Sequence, residues 1–279
     1  MKPTFQIVAD SSADLHVVTD VGFAAAPLKI ITADREYVDN PSLDIAAMVD
    51  DLSRYKGKSS SSCPNPDDWL TKFNDADYVF CIAISGTLSG SYNAAVVAKT
   101  IYEEAHPERR VHVINSLSTG PEMKLLIERL REGILGGNAF DEIVADIEQY
   151  RQNTSLIFVL ESMKNLANNG RVNPLVAKAV GLLGIRIVGM ASERGDLKPL
   201  DKCRGQERAL DAVVRRMDEN KYIGSKVRIA HCLNEAGAIA LKERLVKRFG
   251  PIDVEIYPCG GLCSFYAEKG GLLIGFEHV

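Results

Sequence analysis

The sequence predicts an α/β protein of two domains, an N-terminal parallel sheet with helices on both faces followed by a C-terminal domain with a mixed sheet. Three observations lead there. From Phe5 to Gln152, apolar runs of strand length alternate with segments of helical periodicity, the rhythm of strand–helix units that build a parallel sheet. Near Asn153-Thr154 a new strand, Leu156 to Leu160, opens a different rhythm, which places the boundary between residues 1–153 and 154–279. Beyond it, the turn Glu193-Arg194-Gly195-Asp196 joins two strand-like runs into a hairpin, so pairing there is partly antiparallel. A chain of 279 residues with 46% hydrophobic content is long enough for two cores.

In the first half, Phe5 to Ala9 reads as a strand that runs into the polar turn Asp10-Ser11-Ser12, a candidate wall of a site. Phe23 to Ile31 forms one apolar run, Thr32 to Glu36 a turn, and Tyr37 to Asp39 a further short strand. Leu43, Ile45, Met48, Val49 and Leu52 suggest a short helix. The serine run Ser59 to Ser62 has the composition of a flexible surface loop, yet Pro64 and Pro66 stiffen it into a possible hydroxyl-bearing wall. A helix with Trp69, Leu70 and Phe73 follows from Asp67 or Asp68. Tyr78 to Ala83 is a buried strand. After it, Ala94, Val97, Ala98, Ile101 and Ala105 define one face of a helix with Ser89 as its N-cap. Val111 to Asn115 is the next strand, and the helices Glu122 to Gly133 and Phe140 to Gln152 complete this half.

The second half continues with a helix from Glu161 to Asn168, stopped by Asn169-Gly170, and a helix from Asn173 to Leu183. Strands are expected at Ile185 to Met190, Leu197 to Asp201, Lys226 to His231 and Ile252 to Tyr257, and helices at Gly205 to Asn220 and Glu235 to Phe249. Cys259 to Gly271 reads as a loop rich in glycine and aromatics, closed by the strand Leu272 to Phe276. There is no internal repeat.

The stretch from Ile84 to Asn93 joins strand to helix through hydroxyls and glycines. It reads either as an anion cradle at a helix start or as an ordinary capped turn. Gly86 and Gly90 would let the backbone approach an anion closely. In parallel sheets ligands bind at the carboxyl ends of strands, which here carry Asp10-Ser11-Ser12, Ser85 to Ser91 and Asn115-Ser116.

Composition narrows the function classes. A formal net charge of −4 with no basic stripe argues against a nucleic-acid partner. No apolar stretch is long enough to span a bilayer, and the first residues show no secretory signal pattern, so a cytoplasmic location is expected. Six dispersed cysteines do not suggest a disulfide framework. Ser85 and Ser89 could act as hydrolase nucleophiles, but neither sits in a G-x-S-x-G elbow. His231, Cys232, Cys259 and Cys263 give only weak zinc spacing, so no metal is expected. The Walker-type and G-x-G-x-x-G nucleotide cradles are absent from the sequence.

Several segments, in order, resemble motifs of the DegV family of bacterial fatty-acid-binding proteins. They are Val8 to Leu15 (V-A-D-S-S-A-D-L), Ser61 to Pro66, Ile84 to Ala95, Gly170-Arg171-Val172 and Lys202 to Gly205. The resemblance spans nearly the whole chain, and Leu88-Ser89-Gly90 and the D-S-S-A-D-L start are its more specific parts. It implies two α/β domains with a long-chain fatty acid buried between them as ligand, no cofactor and no catalytic residue. It also implies a partner, since such proteins resemble the acyl-carrying subunit that presents its ligand to a separate fatty acid kinase for acyl-phosphate formation.

Carried over residue by residue, the resemblance assigns the carboxylate to Ser61, with Ser62 beside it, to Ser89 with Gly90, and to the position of a family histidine, which falls on Tyr266. That is a departure, as is Cys63 where the family motif has glutamine. Arg171 and Arg204 match family arginines and stand as candidates for phosphate or partner contact, against the alternative of solvated surface residues. The competing function is a serine-dependent small-molecule hydrolase or transferase using Ser89 or Ser85.

Overall fold

A computed structural model describes residues 3–175 and 184–278. Strand β1 (Phe5–Asp10) is buried because it lies inside a four-stranded parallel sheet, where it pairs with β2 (Gly22–Ala26) on one side and β6 (Tyr78–Ala83) on the other. Strand β7 (Arg110–Asn115) completes the order β2-β1-β6-β7. Alternation along these strands sends side chains to two cores. Val8, Val79 and Cys81 pack with Trp69, Phe73, Ala95, Ala98 and Tyr102, while Ile7, Phe80 and Ile82 pack with Met123, Leu126, Phe140 and Ile143. Helices therefore cover both faces, as expected.

The mixed sheet draws all of its strands from residues after Asn153. Its order is β10-β9-β8-β13-β11-β12, with β8 (Thr154–Leu160), β9 (Ile185–Ala191), β10 (Leu197–Arg204), β11 (Val227–His231), β12 (Val254–Pro258) and β13 (Leu272–Glu277). Only β11 and β12 pair in parallel; the other four pairings are antiparallel. The helices Gln206–Glu219 and Glu235–Phe249 cover one face. The other face meets the helix Gly120–Leu135, whose residues from Gly120 to Ile127 are all buried. That contact depends on Gly275, where a Cβ would lie 2.5 Å from the carbonyl carbon of Pro121. One helix is thus shared between the two sheets.

Several expectations shift. The apolar run Phe23 to Ile31 splits at Pro27-Leu28, with β2 in the parallel sheet and β3 (Lys29–Ile31) in a separate antiparallel sheet between β4 (Glu36–Val38) and β5 (Ser60–Ser62). Proline cannot donate to a ladder, and Leu28 N–H turns aside to donate to Ser11 Oγ. The serine run is consequently a strand rather than a loop, held in register by Ile30 opposite Ser61.

The helix after β6 spans Ser91–Ala105, so Gly90 rather than Ser89 occupies the cap position. Its buried face is Ser91, Ala95, Ala98 and Tyr102, leaving Val97 and Ile101 exposed, contrary to the face expected. The period was right and the phase wrong, because Tyr102 docks edge-on against Phe73 and donates to the carbonyl of Ala76. Glu161 to Lys164 is mostly non-helical, the helix being Lys164–Asn168. The expected helix Asn173 to Leu183 lies outside the described residues beyond Leu175.

Candidate functional site

An apolar tunnel runs between the two sheets. Leu156, Phe158 and Leu160 alternate along β8 and so project from one of its faces, forming a wall with Leu197 and Leu273. Leu28, Ile84, Leu88 and Leu262 line the opposite side. The space not filled by atoms is about 660 Å³, part of it open to solvent. Among the described lining residues Arg171 is the only charged side chain, and it shares one end of the tunnel with Ser61 and Tyr266.

That end is built from distant parts of the chain. Ser61 Oγ lies 2.7 Å from Tyr266 Oη. Arg171 donates from Nε to the carbonyl of Leu88 (3.2 Å) and from Nη1 to that of Asn169 (2.6 Å), and its guanidinium carbon stands 5.8 Å from the centroid of the Tyr266 ring. Burial raises the Tyr266 phenol above its ordinary range, while the bond to Ser61 and the charge of Arg171 pull the other way. The hydroxyl is accordingly neutral and able to donate. Ser89 Oγ accepts from Ser91 N–H (3.3 Å), which leaves its own proton free for an acceptor in the tunnel.

Tyr266 sits on the helix Gly261–Ala267, within the segment read from sequence as a loop. Glycines at its start hid a helix of only seven residues. The available signal was the spacing of Leu262, Phe265 and Tyr266 at i, i+3 and i+4. Asp39 carboxylate oxygens accept from Gly261 N–H (2.6 Å) and Leu262 N–H (3.0 Å), and Asp14 Oδ1 accepts from Gly260 N–H (2.8 Å). Burial raises both carboxyls above the usual range, and for Asp14 the nearby Asp39 adds to the rise. At the other end, Asn165 donates from Nδ2 to the carbonyl of Phe265 (2.8 Å) and from its backbone to Glu268 Oε1 (3.1 Å). Tyr266 is thereby fixed from both sides.

Other sequence candidates are placed differently. Ser62 follows Ser61 on β5, so alternation points it to the opposite face, opposite Lys29, and it does not line the tunnel. Gly90 is exposed and also outside the lining; a Cβ there would meet Cys63 Sγ at 3.2 Å. Arg204 ends β10 at the edge of the mixed sheet, exposed and outside the lining. Arg171 is half-buried rather than a freely exposed guanidinium. Asp10 and Ser11 brace the site without lining it. Asp10 accepts from Ser91 Oγ (2.6 Å) and Ile84 N–H (2.8 Å), while Ser11 holds Leu28. Leu166 is a lining residue that no sequence motif had marked.

Neither Ser85 nor Ser89 has a histidine partner among the described hydrogen bonds, and Ser85 Oγ accepts from Thr87 N–H. No group of three or more His, Cys, Asp or Glu residues is placed to hold a metal among the described residues. No helix among them is long and apolar enough to cross a membrane.

Comparison with known proteins agrees with this architecture. A family model described as an uncharacterised protein of the DegV family matches residues 4–278. A DegV domain-containing protein of Streptococcus pneumoniae is 43% identical over 278 residues, covering 98% of this chain and 99% of that protein. The crystal structure of a DegV family protein from Eubacterium eligens loaded with heptadecanoic acid superimposes with a TM-score of 0.97 at 41% identity, covering 99% of this chain and 100% of that one. The Streptococcus pneumoniae Fatty Acid Kinase (Fak) B3 protein loaded with linoleic acid gives 0.96 at 43% identity, with 99% and 100% coverage. Fold, sequence and the tunnel between the two sheets converge on one conclusion: this chain belongs to the DegV family.

Proposed function

We propose that this protein binds a long-chain fatty acid in the tunnel, holds its carboxylate with hydroxyls, and presents it to a separate fatty acid kinase for acyl-phosphate formation. The observation that carries the reading is an apolar tunnel closed at one end by the Ser61–Tyr266 hydroxyl pair beside Arg171. Two similar structures hold fatty acids, and one of those proteins is named for a fatty acid kinase. Burying roughly a dozen methylenes at ~0.8 kcal/mol each gives on the order of 10 kcal/mol before association costs, enough for tight binding. A desolvated carboxylate then needs donors, which Ser61, Ser89, Tyr266 and Arg171 can supply. Ser62 and Gly90 lie outside the lining and take no direct part in holding the carboxylate.

In this reading the protein carries its ligand and does no chemistry on it, and the phosphoryl donor belongs to the partner. Arg171 serves both affinity and presentation because it touches the head of the tunnel and the Leu88 backbone. Arg204, exposed on the sheet edge, remains a partner contact. Native mass spectrometry of the purified protein tests the function. A co-purified fatty acid, converted to acyl phosphate when a fatty acid kinase and ATP are added, supports it. An empty protein that turns over an ester panel supports the hydrolase or transferase reading instead.

A further inference from the structure

The face of β8 that lines the tunnel changes character at one residue. Thr154, Leu156, Phe158 and Leu160 share that face by alternation, yet only the last three line the apolar tunnel. Thr154 belongs to a separate polar cleft, where its hydroxyl donates to the buried carboxylate of Glu122 at 2.8 Å. Leu156 lines both spaces. It is 1% exposed, so its side chain is buried at the wall that the two spaces share. The opposite end of the same face, at Leu160, adjoins the Leu166–Arg171 segment and Tyr266. Leu160 lies four residue steps beyond Leu156, about 13 Å along β8.

We infer that Leu156 is the tail stop of the acyl tunnel, which sets the longest fatty acid accommodated and separates its methyl end from the polar Glu122–Thr154 cleft. This rests on the proposed function, with the carboxylate at Tyr266. A methyl terminus that passed Leu156 would meet a hydrogen-bonded carboxylate and hydroxyl, a poor environment for hydrocarbon and a suitable one for a hydroxyl. Removing the leucine side chain would join the two spaces. Enlarging it would shorten the tunnel.

The test is competition binding of tetradecanoic, hexadecanoic, icosanoic and ω-hydroxyhexadecanoic acids to the parent protein, Leu156→Ala and Leu156→Phe, with folding checked by thermal melting. In Leu156→Ala, affinity for icosanoic relative to hexadecanoic acid should rise at least threefold, and so should that for the ω-hydroxy acid. In Leu156→Phe, tetradecanoic acid should gain at least threefold over hexadecanoic acid. Either variant that folds suffices, and Leu156→Val replaces alanine at the same threshold should Leu156→Ala not fold. Smaller changes in these ratios, with the parent binding fatty acids normally, overturn the tail stop alone. A parent that takes up none of the acids refutes the proposed function and this inference with it.

Discussion

The hydroxyls of Ser61 and Tyr266 lie 2.7 Å apart although 205 positions separate them in the chain. Ser61 comes from the middle of a short strand and Tyr266 from a seven-residue helix capped by Asp39. The family resemblance implies a serine–histidine combination, whereas the structure pairs Ser61 with the hydroxyl of Tyr266. A tyrosine hydroxyl stays neutral across the physiological range, here more so because burial raises it. Fatty-acid affinity should therefore be nearly flat between pH 6 and 8. Tyr266→Phe should weaken binding by ~0.5–1.5 kcal/mol throughout, and Tyr266→His should restore it only on the acidic side, where imidazole is charged. Titration of one fatty acid against the three proteins is decisive; a phenylalanine variant that binds like the parent removes Tyr266 from the carboxylate site.

Ser89 keeps a proton to donate because its oxygen already accepts from Ser91 N–H. Ser89→Ala should weaken fatty-acid binding by ~1.5–3 kcal/mol, the range for a hydrogen bond to a charged group, with the melting temperature little changed. Isothermal titration of the folded variant measures this. Equal affinity for parent and variant would show that the serine only shapes the turn.

Glu122 is 5% exposed and held by Thr154, and burial pushes its carboxyl up to about 7. The folded state thus binds this proton more tightly than the unfolded chain, whose value is 4.5. The associated stability is complete below about pH 4.5 and is lost as pH rises towards 7, up to about 3 kcal/mol in all. Asp10, Asp14 and Asp39 are raised as well and act in the same direction, so the difference between Glu122→Gln and the parent isolates this one group. That difference, from urea unfolding at several pH values, should move in favour of the variant as pH increases from 4.5 to 7. A constant difference would mean that Glu122 titrates normally.

The tip of the β9–β10 hairpin is wedged against the first half of the chain. Thr87 Oγ1 donates to the carbonyl of Arg194, and a Cβ on Gly195 would overlap the Ser85 hydroxyl and stand 2.9 Å from the Leu117 Cα, at a φ of +78°. Gly195→Ala should cost ~1–3 kcal/mol beyond Gly137→Ala, a control with φ of +75° and open space around it. Equal unfolding free energies for the two variants would show that the tip is not tightly packed.

The α/β class, most strands and helices, and the residues that resemble family motifs are legible in the chain, because they depend on local periodicity and short spacing. Ser61, Ser89, Arg171 and Tyr266 are legible as site residues in the sequence, and the fold brings each of them to the tunnel. Tertiary structure decided the rest. Phase is one example: the Ser91–Ala105 helix buries Tyr102 instead of Ile101 because Phe73 waits on that side. Pairing is another, since a serine run has no intrinsic call to be a strand until β3 offers it a ladder, and only that register turns Ser61 inward and Ser62 away. The helix bearing Tyr266 is held by Asp39 and Asp14, more than two hundred residues earlier, through contacts no local window contains. The tunnel itself exists only where two sheets face each other, so its lining and its end at Leu156 follow from packing between elements rather than from any pattern along the chain.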